Sequence, residues 1–274
     1  MKFNRAIRGV IVIEGHVQGL ANTRALGRSG IPVVVVSEHD CIAHYSKYCL
    51  KFLKCPEYLS TEFVDFLIQL AVNEGMQDWV LIPSNDHAVY NLSKNYKRIK
   101  KYFKVISPEP ENLEKIYNKE LLLKLCWELN VLVPQSWFPV NAIDIECSDF
   151  AFPVIIKGKN GLSFYKTHRR KAFLAKNREE LDNVLNEIRI KSTFSEIFIQ
   201  NILPLKGNKP VSFTAFAING EIKTYWMGIK IREHPFQFGT ATYCKSLNIG
   251  ELLDPAGKII KALSFSGVCE MEFL

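Results

Sequence analysis

No stretch of this 274-residue chain approaches the ~18–20 consecutive apolar residues that a membrane-spanning helix needs. Lys2, Arg5 and Arg8 precede Val10-Ile11-Val12-Ile13 in the manner of a leader peptide, but Glu14 cuts that apolar run too short. The seven cysteines are scattered, odd in number and never spaced C-x-x-C, which argues against a disulfide framework and a zinc site and for reduced thiols in a cytoplasmic protein. There is no zinc-finger spacing, no internal repeat and no nucleic-acid-recognition motif. The net charge of +7 therefore carries no expectation of sequence-specific nucleic-acid binding. Part of the excess sits in two local clusters, Lys94 to Lys104, read as a solvated face, and Arg169 to Lys171. A G-x-G-x-x-G fingerprint is also missing. Gly15 and Gly19 are spaced G-x-x-x-G, and Glu38 and Asp40 are ambiguous candidates for a ribose-binding acid, so a nicotinamide dinucleotide is the weakest reading.

What is present is ordinary globular material, 47% hydrophobic and 23% charged, long enough at ~100–200 residues per domain for two domains. The runs GVIVI at 9–13 and VVVV at 33–36 read as buried strands flanking a helix from Leu20 to Ser29, a βαβ unit and hence a parallel sheet. Apolar residues at helical spacing predict a helix over 61–74, and Trp79 to Ile82 a third strand. Ser84, Asn85 and Asp86 then either face a ligand at a strand end or cap the next helix. Lys104 to Ser107 closes a first α/β domain over residues 1–107. Beyond the Pro108–Asn112 linker, the pattern predicts one helix from Leu113 to Asn130, a hairpin partner from Tyr165 to Lys176, and a helix from Asn177 to Ile188 opened by a capping-box pattern. Asn219-Gly220, between two apolar-aromatic runs, is a strong hairpin signal. Leu252 to Leu263 reads as a helix and Gly267 to Leu274 as a strand.

The residues of most chemical interest stand at strand ends. Phe152-Pro153-Val154-Ile155-Ile156 runs straight into Lys157 and the polar, glycine-bearing stretch from Gly158 to Ser163. A lysine delivered by a buried strand beside such a loop holds a phosphate, or it is a surface lysine ending a strand. Glu270 and Glu272, two apart on a strand, share one face and hold a cation between them or are two solvated acids. Lys230 and Arg232 follow the same period, and their shared face is functional or merely exposed.

Taken in order, these pieces resemble the ATP-grasp superfamily, in particular its carboxylate–amine ligase-like members. The resemblance spans essentially the whole chain. It rests on LEKIYNKELLLKLCWELNVLVPQSW, FPVIIK, FIQNILPLKGN, the alternating run VSFTAFAINGEIKTYWMGIKIREHPFQFGTAT, and GVCEMEFL. It implies an α/β and α+β architecture: a parallel-sheet pre-ATP-grasp domain over 1–107, a first ATP-grasp subdomain with its lysine strand and flap over 108–196, and an incomplete second subdomain over 197–274. Lys119 and Lys157 resemble the two lysines that hold ATP phosphates. Gln200, Asn201 and Leu203 stand at the hinge that cradles adenine, although the family often has an acid where Gln200 stands. Lys230 and Arg232 resemble the catalytic basic residues after the hairpin, with Arg232 expected to clamp a phosphate or acyl-phosphate. Glu272 and Glu270 would hold Mg²⁺, with Glu272 placed first. The Gly158–Arg170 stretch resembles the flap over the phosphates but is poorer in glycine than many family flaps. Arg169 and Arg170 assist there or are solvated.

The resemblance implies an ATP-dependent ligase joining a small-molecule carboxylate to an amine through an acyl-phosphate. The alternative is a catalytically inactive nucleotide-binding module. Homo-oligomerisation stays open. The family pattern continues to a further acid and an Asn, whereas this sequence stops at Phe273-Leu274 inside an apolar strand. The expectation is therefore a truncated chain, impaired in catalysis.

Overall fold

The computed structural model describes residues 8–106, 108–203, 209–234 and 240–274, excepting the side chains of Leu162 and Thr240. The chain divides into two compact units, one running to Leu113 and taking in Ser266–Val268, the other made of Glu114–Phe265 and Cys269–Leu274.

In the first unit, β1 (Val10–Ile13), β2 (Val33–Ser37), β3 (Cys49–Lys54), β4 (Val80–Pro83) and β5 (Lys104–Val105) form a sheet in the order β3-β2-β1-β4-β5. Every pairing is parallel. All residues of β1 and β2 are buried, because helices cover both faces and an unbroken β-branched run suits two apolar faces. The period of two sorts them. Ile11, Ile13, Val34 and Val36 pack with Phe63, Leu67 and Trp79, whereas Val10, Val12, Val33 and Val35 pack with Leu20 and Leu26. The helix over 61–74 forms as the pattern predicts, and Gly75 ends it in the left-handed conformation at φ 78°. The other long helix, Val17–Arg28, begins three residues before the expected Leu20.

The glycines after β1 have a packing role. A Cβ on Gly15 would lie 2.2 Å from Cys41 Sγ, and one on Gly19 would lie 1.9 Å from the Glu14 carbonyl oxygen. Both acids considered for a ribose are engaged within the protein. Glu38 Oε1 accepts from the Tyr58 amide at 2.5 Å, and Asp40 accepts from Tyr45 Oη and pairs with His44. Asn85 proves to be a helix cap, accepting from the Ala88 amide at 2.7 Å.

The second unit holds two antiparallel arrangements. The first comprises β6 (Ser136–Trp137), β7 (Val154–Gly158), β8 (Phe173–Ala175) and β9 (Ile197–Asn201), in the order β6-β9-β7-β8. The helix Arg178–Arg189 sends Leu181, Leu185 and Ile188 into the core beneath Val154, Ile156, Ile197 and Ile199. The second comprises β10 (Val211–Ile218), β11 (Glu221–His234), β12 (Thr240–Ser246) and β13 (Gly267–Phe273), in the order β12-β11-β10-β13. Phe213, Ala215, Ala217 and Met227 line its inner face against Ile259 and Ile260 of the helix Leu253–Ala262 and Leu263 just after it. Asn219 and Gly220 both take positive φ, 51° and 80°, as the tight hairpin turn requires.

The structure corrects three sequence expectations. The helix foreseen from Leu113 to Asn130 is two, Pro110–Tyr117 and Lys119–Glu128, because Asn118 leaves helical geometry to cap the second. Of the partner foreseen from Tyr165 to Lys176, the first residues, as far as His168, belong to the helix Gly161–His168, and only Phe173–Ala175 pairs with β7. The flap-like loop is therefore an ordered helix, and Asn160 caps it by accepting from the Ser163 amide at 3.0 Å. Gly158 meets a packing demand there, since a Cβ would lie 2.3 Å from Phe164 Cβ.

A candidate nucleotide site in the second unit

Strand β7 is paired on both sides, by β8 and β9, so its direction is fixed. Val154 and Ile156 enter the core under the sheet. The alternation sends Ile155 and Lys157 to the opposite face. Phe198 and Gln200 share that face, opposite Lys157 and Ile155 respectively on β9. Lys157 Nζ lies 3.5 Å from Gln200 Oε1, the long end of a charge-assisted contact. Gln200 is buried, and its Nε2 donates to Ser136 Oγ at 2.9 Å. Ser136 in turn donates to the Pro134 carbonyl at 2.8 Å.

The second lysine is brought to the same strand end. Asn118 accepts from the amides of Glu120 and Leu121 at 3.0 and 3.4 Å, so the new helix starts at Lys119. The Lys119 amide donates to the Lys159 carbonyl at 2.8 Å, and Asn118 forms a bridge with Asn160. The first turn of this helix is thus laced to the residues that follow Lys157. Glu120 then binds Lys159 at 2.7 Å and Lys124 at 2.6 Å, and Lys159 also lies over the Phe138 ring at 5.7 Å. Lys159 is accordingly neutralised from within.

Burial pulls the Lys157 ammonium below the ordinary lysine range. Repulsion from Lys119 pulls it further the same way, and attraction from Glu272 opposes both. Those two influences identify the charges that converge on Lys157: one cation and one carboxylate, from separate parts of the chain.

On β13, Cys269, Met271 and Phe273 face the core, and burial raises the Cys269 thiol to about 11. Glu270 and Glu272 face outward together. Glu272 Oε1 lies 3.4 Å from Lys230 Nζ, which also lies 3.6 Å from Glu233 Oε2. Among the described residues no three histidine, cysteine or acidic side chains form a metal cluster. Two outward carboxylates on one strand suit a hard cation that takes its remaining oxygens from phosphate and water, so the donor set fits Mg²⁺.

Lys230 and Arg232 are less simply placed than a period of two implies. The pairing of β11 with β12 slips between Lys230 and Arg232 and again between Arg232 and Glu233, so alternation alone does not put both side chains on one face. Arg232 is exposed, without a carboxylate partner among the described residues. At the hinge, the Asn201 amide donates to the Gln135 carbonyl at 2.9 Å. Asn201 Oδ1 is buried with no hydrogen-bond partner among the described residues. Leu203 is exposed, and Pro204–Asn208 and Pro235–Gly239, which the motif reading also drew on, lie outside the described residues. Arg169 ends the helix Gly161–His168 in the left-handed conformation, and Arg170 stacks on Phe173 at 5.3 Å.

Sequence reasoning missed Ser136. Its one available signal was its place between Pro134 and an aromatic residue that anchors it, Trp137, whose ring packs on Phe150 at 4.8 Å.

Solved structures with this arrangement are numerous. An L-amino acid ligase from Bacillus licheniformis superposes with a TM-score of 0.69 over 99% of this chain and 64% of its own, at 14% identity. The chain has the ATP-grasp fold. A biotin carboxylase–beta-gamma-ATP complex from Campylobacter jejuni gives a TM-score of 0.68 over 96% of this chain and 61% of its own, at 15% identity. In sequence, a D-aspartate ligase of Enterococcus faecium is 24% identical over 153 residues, which are 52% of this chain and 36% of that protein. No family model matches. The chain thus spans under two thirds of the length of these relatives, and the fold class expected from the motifs is borne out.

Proposed function

We propose that the second unit binds Mg·ATP and that the chain serves an ATP-dependent ligation of a small-molecule carboxylate to an amine. The observation that carries this reading is the strand-end geometry that sets Lys157 Nζ against Gln200 Oε1 and laces the first turn of the Lys119 helix to the residues following Lys157. A partly buried ammonium whose hydrogen bond is a long one, 3.5 Å to an amide oxygen, beside a second ammonium, gains from an anion that joins it. A triphosphate supplies that anion, and a carboxylate beside the two lysines is then the place for the metal that accompanies it. Glu272 and Glu270, with phosphate oxygens, would hold Mg²⁺, which supplies charge neutralisation when bound.

In the reaction a substrate carboxylate oxygen attacks the γ-phosphorus and the P–O bond to ADP breaks. The amine nitrogen then attacks the acyl carbon, inorganic phosphate leaves, and the nitrogen gives up a proton. Lys119 and Lys157 position the phosphates, and the Arg232 guanidinium fork suits the planar oxygens of the acyl-phosphate. No covalent nucleophile from the protein is required. The D-aspartate ligase and L-amino acid ligase relatives make amino acids the first substrates to try.

A second reading, a nucleotide-binding module without chemistry, is favoured by the ordered helix Gly161–His168 standing where a flap was expected. The two separate on one assay. Incubation with Mg·ATP, a panel of D- and L-amino acids including D-aspartate, and hydroxylamine as the trapping amine should yield hydroxamate and ADP in equal amounts with one of the acids. Nucleotide binding with no acid-dependent ADP would leave the module.

A further inference from the structure

The hydrogen bonds around Gln200 have a direction that the sequence does not show. The Pro134 carbonyl can only accept, so the Ser136 hydroxyl that lies 2.8 Å away donates to it. Ser136 Oγ must then accept from its other neighbour, Gln200, and the only donor of that side chain is Nε2, at 2.9 Å. The amide oxygen is thereby turned toward Lys157 Nζ, which can only donate. Both ends of the relay impose the same orientation on the Gln200 amide.

We propose that Ser136 is a specificity-determining positioning residue, locking the Gln200 amide with its oxygen outward on the Lys157 face, so that the site accepts a nucleobase bearing an exocyclic amino group and rejects one bearing a carbonyl there. This inference rests on the nucleotide reading given above. Oε1 has two lone pairs, one of which faces Lys157 and the other of which can accept an amino N–H. An amide free to turn would offer NH₂ as readily and would serve a carbonyl-bearing base equally well. Setting an acceptor against an acceptor leaves a buried polar group unpaired, a cost of about 1–3 kcal/mol, which corresponds to roughly 5- to 150-fold in affinity. A carboxylate at this position would need no such lock, because both of its oxygens accept. The burial of Gln200 prevents water from making the choice irrelevant.

The test is calorimetric titration of the whole chain with Mg·ATP and Mg·GTP, for the wild type and for Ser136→Ala and Ser136→Thr. The wild type should prefer ATP by at least about fivefold. Ser136→Ala should collapse that preference by a similar factor, with the gain in GTP binding as marked as the loss for ATP. Ser136→Thr, which keeps the hydroxyl, should retain it. In a Gln200→Glu background the Ser136→Ala change should move the ratio little, and this pair stands in if Ser136→Ala alone does not fold. A wild type that binds both nucleotides equally, or a Ser136→Ala variant with an unchanged ratio, overturns the lock while leaving the nucleotide site in place. Proton exchange of the Gln200 side-chain amide, followed by NMR without nucleotide, separates the two failures. Slow exchange lost in Ser136→Ala supports the relay, and fast exchange in the wild type overturns it. Failure of both nucleotides to bind overturns the proposal together with the reading beneath it.

Discussion

Lys157 is where stability and binding should pull in opposite directions. Lys157→Met keeps the length and most of the volume of the side chain and removes the charge, the kind of swap a packed site tolerates. In the folded chain the ammonium is partly buried, repelled by Lys119 and met by Gln200 Oε1 at 3.5 Å, so its charged form is less favourable than in the unfolded chain. The penalty is present in full at pH values below the depressed folded pKa, where both states are protonated. It fades as pH rises through that value toward the ordinary lysine pKa, because the unfolded state then holds the extra proton. The Met variant should therefore be more stable near pH 7 by about 1 kcal/mol, or about 2–4 °C in Tm for a unit of this size. The advantage should shrink as pH rises through the same window. Loss of a charge-assisted contact to phosphate should meanwhile weaken Mg·ATP by about 1.5–3 kcal/mol, roughly 10- to 150-fold. Thermal denaturation across pH and calorimetric titration read the two effects separately. A variant that is less stable than wild type and binds ATP equally well would refute the assignment of Lys157 as a partly buried phosphate-binding cation.

Three further outcomes follow from the same geometry. Phosphate binding should restore the Lys157 proton affinity, so Mg·ATP affinity should fall as pH rises through the depressed pKa, with proton uptake visible as a heat that changes between buffers of different ionisation enthalpy. Glu272→Gln should abolish most of the Mg²⁺ dependence of nucleotide binding while leaving thermal stability within about 0.5 kcal/mol, because the residue is exposed. Asn118→Ala removes the cap that starts the Lys119 helix and should cost about 1 kcal/mol in urea unfolding together with a weaker ATP affinity, whereas Asn118→Ser should preserve both.

The parallel sheet was legible because its information is local. VIVI and VVVV are continuous β-branched runs, and a strand buried on both faces leaves no other pattern. Asn219-Gly220 was legible for a similar reason, since two consecutive positive φ angles demand those residue types. Strand β3 was not, since its CLKFLK residues are part-exposed at the sheet edge and show neither a run nor a clean alternation. The break at Asn118 escaped because apolar spacing continues through it, and only the capping side chain and the bridge to Asn160 decide the boundary. The helix at 161–168 escaped because its opening Gly161 imitates a loop. Of the site, Lys157 could be read from its strand, whereas the charges that act on it stand about 40 residues away at Lys119 and more than a hundred away at Glu272. Ser136 offered only its place between Pro134 and Trp137, because its part lies in the direction of a hydrogen bond.

The measurement that bears most directly on the account is calorimetric titration of the chain with Mg·ATP, with NADH as the control and Lys157→Ala as the paired variant. The account predicts micromolar binding of Mg·ATP, none of NADH, and loss of the ATP signal in Lys157→Ala. Binding of NADH in place of ATP, or ATP binding that Lys157→Ala leaves unchanged, would contradict it.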